Sequence, residues 1–490
     1  MQRERTHELP DWRPVSQTSA AKSSPAWTLA LTSVAFFLVM LGLLVVITAL
    51  PAIHKDLGGS ISTLGWILNA YGLIFAVGIL PAAAIGDRLG RVRVLTLGLG
   101  IFTAASAACA VSQSVESLIA ARAVQGLGAA MVMPVSLTIL ITAFSPQHWG
   151  RVIGAWGGIG GLAAALGPLV GGAVTQGLDW HWVFWISVPI GIVATVLSLL
   201  RLTESRGPAT KLDLPAVVLV SLGLLGVGWG LVRGNDVGWR SSEVVSAFTV
   251  GILLVAAFVI WERRASQPML PMRLFGSLTF VGANGASFFM FASLLSAAFL
   301  ASQYFQLVLH NSPFDTGLRI LPWTAAPFFI APAAGAVSDR IGKRPVMFAG
   351  LVLQGIGLSW FAYLATTHVD YGQLVLPFVL AGVGISMALS TAPAAALGAV
   401  SPRDLGKASG VNSTLQRLGG VFGVAIATVV FTSNGHLGTA ASFDSGFRPA
   451  MVSSAGLSIV GAVFAMAVRS RRSRDANELV AEPGSVAANR

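Results

Sequence analysis

The chain has 490 residues, 54% of them hydrophobic and only 10% charged, where ordinary soluble proteins carry about a quarter charged. This composition excludes a soluble globular fold and reads as a chain that crosses the membrane many times. A formal charge of +11 would suggest a nucleic-acid partner in a soluble protein, but here the bases gather in alternate loops between apolar runs, so no nucleic acid is implied.

Residues 1–26 mix Arg3, Arg5, Arg13 and Lys22 with Glu4, Glu8 and Asp11, then lead into an apolar run from Trp27 to Leu50. That run exceeds the roughly 7–15 apolar residues of a cleaved signal peptide and is long enough to span, so it is expected to stay as the first helix. Apolar runs long enough to cross a bilayer predict spans near 28–50, 62–83, 93–113, 115–141, 150–175, 182–201 and 213–233. Seven more follow near 244–262, 277–304, 317–337, 345–367, 372–397, 408–432 and 449–468, giving an all-α membrane protein. If the N-terminus is cytoplasmic, the inside segments hold 24 of the 31 lysines and arginines. Lys55, Arg233, Arg240, Arg319 and Arg448 fall outside, and Arg122 and Arg417 fall within spans. Both termini are therefore expected to be cytoplasmic, with the tail from Arg469 a disordered basic anchor.

Between the second and third spans, Ala83 to Val94 carries Gly86, Asp87, Arg88, Gly90, Arg91 and Arg93. The order returns at Gly335, Asp339, Arg340, Gly342, Lys343 and Arg344. Two copies of one charged loop point to two halves built alike, the construction of transporters that rock around a central site. Gly90 and Gly342 are expected to let the backbone turn sharply, and the bases to hold each loop on the anionic face. Eight spans separate the copies, so the pair near 213–233 and 244–262 reads as an addition with a lipid-facing spacer role.

In the fourth span, Arg122 is followed by Gln125, Gly126, Gly128 and Pro134. At 1.5 Å per residue Arg122 stands about ten ångströms from the outer face, where an arginine needs a wet cavity or a partner. The fifth span holds Gly154, Gly157, Gly158, Gly160 and Gly161, then Gly167, Pro168, Gly171 and Gly172. Glycines four apart let a neighbouring helix approach closely and the proline removes a backbone donor, a pattern suited to a hinge or a sealing contact.

These motifs together resemble the fourteen-span drug/proton antiporter branch of the major facilitator superfamily. Gly86 to Arg93 match its signature loop, although Ala83 stands where a glycine is usual; Arg122, Gln125, Gly126 and Gly128 match its fourth-span motif. Gly167-Pro168 with Gly171 and Gly172 match the fifth-span motif associated with antiporters. Further landmarks are Trp180-His181-Trp182, Gln303-Tyr304-Phe305-Gln306 and Ser409 to Asn412 with Gln416, Gly419, Gly420 and Gly423. The resemblance implies two six-helix bundles, at 27–202 and 277–468, flanking two extra central helices within 203–276, with tails at 1–26 and 469–490. It also implies export of hydrophobic or amphipathic molecules, antibiotics among them, across the cell membrane in exchange for protons, by a protein working as a monomer.

One departure bears on mechanism. The branch usually carries an acid in the first span, where this chain has Gly42, at about the depth of Arg122. No other acid or histidine falls in a span interior, so the usual proton relays are missing and two arginines lack an acidic partner. The cavity is therefore expected to be positive and to favour neutral or anionic cargo over cations. Candidate cavity residues are Trp66, Asn69, Tyr71, Asn284, Phe288, Phe291, Gln303, Gln354, Asn412 and Gln416, beside Arg122, Gln125 and Arg417. A facilitator or importer of a small metabolite on the same scaffold is the alternative. A membrane enzyme is disfavoured because no His, Cys, Asp or Glu cluster sits in the spans, and with Cys109 alone neither a disulfide nor a thiolate metal cluster is available; no cofactor is expected.

Overall fold

The computed structural model describes residues 24–145, 149–207, 213–265, 268–401, 404–436 and 440–469. The expectations for most of the N-terminal tail and for the basic C-terminal tail lie outside these residues. Among the described residues fourteen helices are long and apolar enough to cross a membrane, and no strand occurs. The first six are α1 (Pro25–Leu57), α2 (Ile61–Leu89), α3 (Arg91–Ala110), α4 (Val115–Ala143), α5 (Trp149–Gly177) and α6 (Trp182–Arg201). The added pair is α7 (Leu214–Val237) and α8 (Ser242–Arg264). The last six are α9 (Leu278–Val308), α10 (Pro313–Ile341), α11 (Lys343–Leu364), α12 (Tyr371–Leu397), α13 (Leu405–Asn434) and α14 (Ala440–Met466).

Local chemistry sets the helix ends. Ser60 and Thr63 form a reciprocal capping box that starts α2, and Ser114 and Ser117 do the same for α4. Gly90 (φ 118°) ends α2 and lets α3 begin at the next residue; Gly342 (φ 95°) does the same between α10 and α11. A side chain would be strained at either φ, so the two loops of the sequence repeat turn on their glycines as expected. Several helices outrun their predicted spans. α7 continues to Val237, which brings Asn235 and Asp236 into a helical last turn.

Within each half, small residues let backbones touch. A methyl group at Gly126 would sit 2.4 Å from the Tyr71 carbonyl oxygen, and one at Gly128 would sit 2.6 Å from the Phe102 nitrogen. In the second half the equivalent closeness joins α13 to α9, where Gly419 faces Phe288 and Gly423 faces Ala292. Such contacts replace the hydrophobic drive that lipid does not supply between helices.

The added pair divides its roles. α8 turns Val245, Val250, Ile252, Leu253 and Ile260 outward, as a lipid-facing spacer would. α7 does not fit that expectation: Gly228 packs on Leu73 of α2, and the Asn235 amide donates to the Ala425 carbonyl of α13 at 3.2 Å.

After α8 the chain is pinned to the start of α13. Arg273 donates to Asp404 at 2.8 Å, and Lys407 donates to the Pro268 carbonyl at 2.6 Å. Burial alone would raise the Asp404 carboxyl, but the bonds from Ser401 and Arg273 hold it below the usual carboxylate range. A lowered value means the pair's contribution is present above the unfolded carboxyl's pKa of about 4 and is lost as pH falls through the lowered value. Asp404→Asn should therefore melt below the parent at neutral pH, with the gap closing towards about pH 3. A gap that stays constant over that range would refute this role.

Candidate functional site

The centre of the molecule is organised by one turn of α2. Tyr71 and Phe75 lie four residues apart on one face, and their rings meet edge to face at 5.7 Å. Arg122 of α4 lies over the Tyr71 ring at 4.2 Å, and Arg417 of α13 lies over the Phe75 ring at 4.7 Å. Two guanidiniums, one from each half, thus flank a pair of aromatic rings.

Their surroundings differ. Arg122 is wholly buried. Its Nε donates to the Ile67 carbonyl at 3.1 Å, and Nη1 donates to the Gly42 carbonyl at 2.9 Å and to Gln125 Oε1 at 2.6 Å. Gln125 in turn donates to Ser106 at 2.7 Å. The depth match between Gly42 and Arg122 is real, but the partner is the glycine's own carbonyl. Arg122 therefore binds α1, α2 and α4 together, with neutral acceptors on Nε and Nη1, a ring face beside it and Nη2 alone without an acceptor.

Arg417 has no carbonyl. Its Nη2 meets the sulfurs of Met40 at 3.5 Å and Met133 at 4.0 Å, a second ring, Phe291, lies 5.6 Å away, and Nε and Nη1 have no partner. It also lines a cavity of about 20 Å³ with Asn69, Leu43, Leu68, Leu295 and Val421, room for about one water.

The other predicted cavity residues scatter. Asn412 donates to Asn284 at 3.1 Å and to Ser287 at 2.9 Å, and Gln416 donates to Asn412 at 2.7 Å. That network joins α13 to α9. Gln354 is bonded to Ser293 at 3.2 Å, and Phe288 meets Phe289 edge to face and Phe422 at a tilt. Gln303 is fully buried with both amide atoms unpartnered. Trp66 is the clearest miss: its indole donates to Asp236 of α7 at 2.8 Å, and Ser62 and Arg233 also bond that carboxylate. It faces the added pair and not the cavity.

The fifth-span motif divides along its length. At the end far from the charged loops, a methyl on Gly171 would reach the Val45 carbonyl at 2.2 Å, and one on Gly172 the Pro313 carbonyl at 2.2 Å. Thr48 donates to the Pro168 carbonyl at 3.1 Å, and Gly317 of α10 packs on the same carbonyl. Ser302 and Gln306 of α9 donate to the Ile47 and Thr48 carbonyls at 2.9 Å each. Here α1 and α5 of the first half meet α9 and α10 of the second. Toward the loops the packing thins: nothing approaches the Cβ positions of Gly157, Gly158 and Gly161 within 4 Å, while Gly160 stays packed against the Phe36 ring. Gly167 packs on Leu44, and Gly154 lies within α5.

The charged loops are tied differently. Asp87 pairs with Arg91 at 2.8 Å and its carbonyl accepts from Gly207 at 2.9 Å, while Arg88 is exposed. Glu204, which the sequence reading passed over, accepts from the Val92 and Arg93 amides at 2.9 and 3.2 Å and so caps α3. Its signal was a lone acid directly after a span. In the second loop Gly335 has open space around its Cβ, Asp339 and Arg340 are exposed, Lys343 donates to the Ala394 carbonyl at 2.6 Å, and Arg344 is half-buried. No group of His, Cys, Asp or Glu able to hold a metal occurs among the described residues.

Two like helical halves, joined at one end and meeting at a central pair of buried guanidiniums, have the architecture of a two-bundle membrane transporter. The chain belongs to the Major Facilitator Superfamily, whose sequence profile matches residues 32–280 and 274–488. It is 30% identical over 432 residues to the tetracenomycin C resistance and export protein of Streptomyces glaucescens, covering 87% of this chain and 80% of that one. It is 32% identical over 416 residues to the methylenomycin A resistance protein of Streptomyces coelicolor, covering 83% and 86%. Among solved structures it resembles the peptide transporter POT in complex with sulfate, with a TM-score of 0.67 at 16% identity over 91% of this chain and 94% of that one. It also resembles a bacterial homolog of the human lysosomal transporter Spinster, with a TM-score of 0.64 at 17% identity over 91% and 97%.

Proposed function

We propose that the protein exports hydrophobic or amphipathic small molecules, antibiotics among them, by alternating access, and that it catalyses no covalent reaction. The observation that carries this is the asymmetry of α5: sealed against α10 through Gly172 and Pro313 at one end, and open at Gly157, Gly158 and Gly161, though not at Gly160, toward the charged loops. A cleft that opens at the loop end and closes at the other is one posture of a rocking carrier. The relatives' names, resistance and export proteins for antibiotics, supply the direction and the cargo class. On this reading the loops and both termini face the cytoplasm and one copy of the chain suffices.

Every Asp, Glu and His within the described spans lies near a helix end, so proton exchange, which the family resemblance implies, has no acid at mid-depth to run through. Neutral or anionic cargo fits the centre better than cations, because Arg122 and Arg417 stand there without a carboxylate.

Everted vesicles containing the protein should accumulate a neutral or acidic antibiotic and little of an ethidium-type cation; uptake in the opposite direction would replace the exporter with an importer. In the same assay Asp87→Asn should slow turnover about tenfold while apparent affinity changes less than about twofold, because the lost bond to Arg91 shapes a loop and touches no cargo. A weakened affinity at normal turnover would refute that assignment.

A further inference from the structure

Arg417 is only 3% exposed, it lines the central space described above, and two of its guanidinium nitrogens have no acceptor. A buried ionised donor without an acceptor is costly, and structures retain one only where something else repays it. Arg122 is better supplied, since carbonyls of α1 and α2 and the Gln125 oxygen receive its Nε and Nη1 and only Nη2 lacks an acceptor. Arg417 has only thioethers, which are weak acceptors, and ring faces.

We propose that Arg417 is the anion-binding group of the central site, and that the preferred cargo presents it an acidic oxygen, a carboxylate or a phenolate, from an otherwise apolar body. This rests on the export reading above and names its cargo class. The side chain stands on α13 of the second half, yet its neighbours Met40, Phe75 and Met133 belong to α1, α2 and α4 of the first. An oxygen received there is therefore held where the two halves meet. Asn69 borders the same space and makes no side-chain hydrogen bond among the described residues, so its amide is available as a further donor to the same oxygen. The space now holds little more than a water, and the groups that must yield to a larger body are two methionines, whose unbranched side chains repack easily.

The test is equilibrium dialysis of the purified full chain in phosphatidylcholine nanodiscs. The probes are 7-diethylaminocoumarin-3-carboxylate and its uncharged ethyl ester, which share one ring system. The carboxylate should bind at least about tenfold more tightly than the ester, as a charge-assisted bond in a dry site requires. Arg417→Gln should bring the two probes to near equality by weakening the carboxylate alone, and Arg417→Lys should fall between. A ratio near one in the parent overturns the proposal without any variant, so a misfolded Arg417→Gln does not shield it. An unchanged ratio in a folded Arg417→Gln overturns it as well. Abolition of carboxylate binding by phosphatidylglycerol in the discs, at constant ionic strength, would give the site to a lipid headgroup and overturn the cargo assignment. Dialysis involves no transport: a protein that prefers the acid but exports neither probe refutes the export reading alone, and one that exports the ester without preferring the acid refutes the anion site alone.

Discussion

Replacing Gly172 with valine should give a folded protein that transports far more slowly. A Cβ at this position would lie 2.2 Å from the Pro313 carbonyl oxygen and 2.9 Å from the Phe314 Cα, so the added side chain has no room while α5 and α10 remain in contact. The two helices belong to different halves. The clash can be relieved by parting the halves at that end, which a rocking carrier already does once per cycle. Overpacking of this kind costs about 1–3 kcal/mol, and charged against only one of two states it shifts their balance by about fivefold to 150-fold. Transport should fall by a similar factor, with the melting temperature close to that of the parent. A cysteine introduced at Gln176, whose side chain bonds the Phe314 amide across the seam, should react faster in the Gly172→Val background. Parental transport, or unchanged reactivity at position 176, would remove Gly172 from the closing seam.

Gly423→Leu should do the opposite and destroy the fold. Its Cβ would stand 2.0 Å from the Ala292 carbonyl oxygen and 2.6 Å from the Ala292 Cα. Both α13 and α9 lie in the second half, so no posture of the carrier separates them. The penalty, of at least about 3 kcal/mol, falls on every folded state. Low yield in the membrane and early melting in detergent are expected even without cargo. A Gly423→Leu protein that melts with the parent would show that α9 and α13 part during the cycle, and the halves would have to be redrawn.

The two glycines look alike in sequence, each within a dense small-residue run, and this marks the limit of what a single chain discloses. Properties set by a residue and its near neighbours were legible: the fourteen apolar runs, the turns at Gly90 and Gly342 and the repeat that relates them. The level of Gly42 and Arg122 was legible too, because depth follows from counting along two helices. What was not legible depends on which helix lies beside which. Trp66 read as a cavity aromatic until Asp236, 170 positions away, took its indole. Gly126 and Gly128 read as companions of Arg122, whereas their work is to admit the backbones of α2 and α3. Arg417 was visible as an arginine inside a span, but nothing in its own helix announces two methionines and two phenyl rings contributed by four others.

The added pair of helices has a mechanical consequence. At the far end α7 is held to the first half by Asp236, which takes bonds from Ser62 and Trp66 of α2. At the loop end the segment that follows α8 is held to the second half through Arg273 with Asp404 and Lys407 with Pro268. Between these anchors α7 and α8 are locked together by Gly223, Gly226 and Gly251, where their backbones touch. At the far end α7 also bonds the second half through Asn235 and the Ala425 carbonyl, so the pair bridges both halves there and is tied to the second half again at the loop end. With Asn235 and Asp236 side by side on one turn yet bonded to different halves, lengthwise sliding of one half past the other would have to break one of these bonds, so the pair acts as a clasp across the far end.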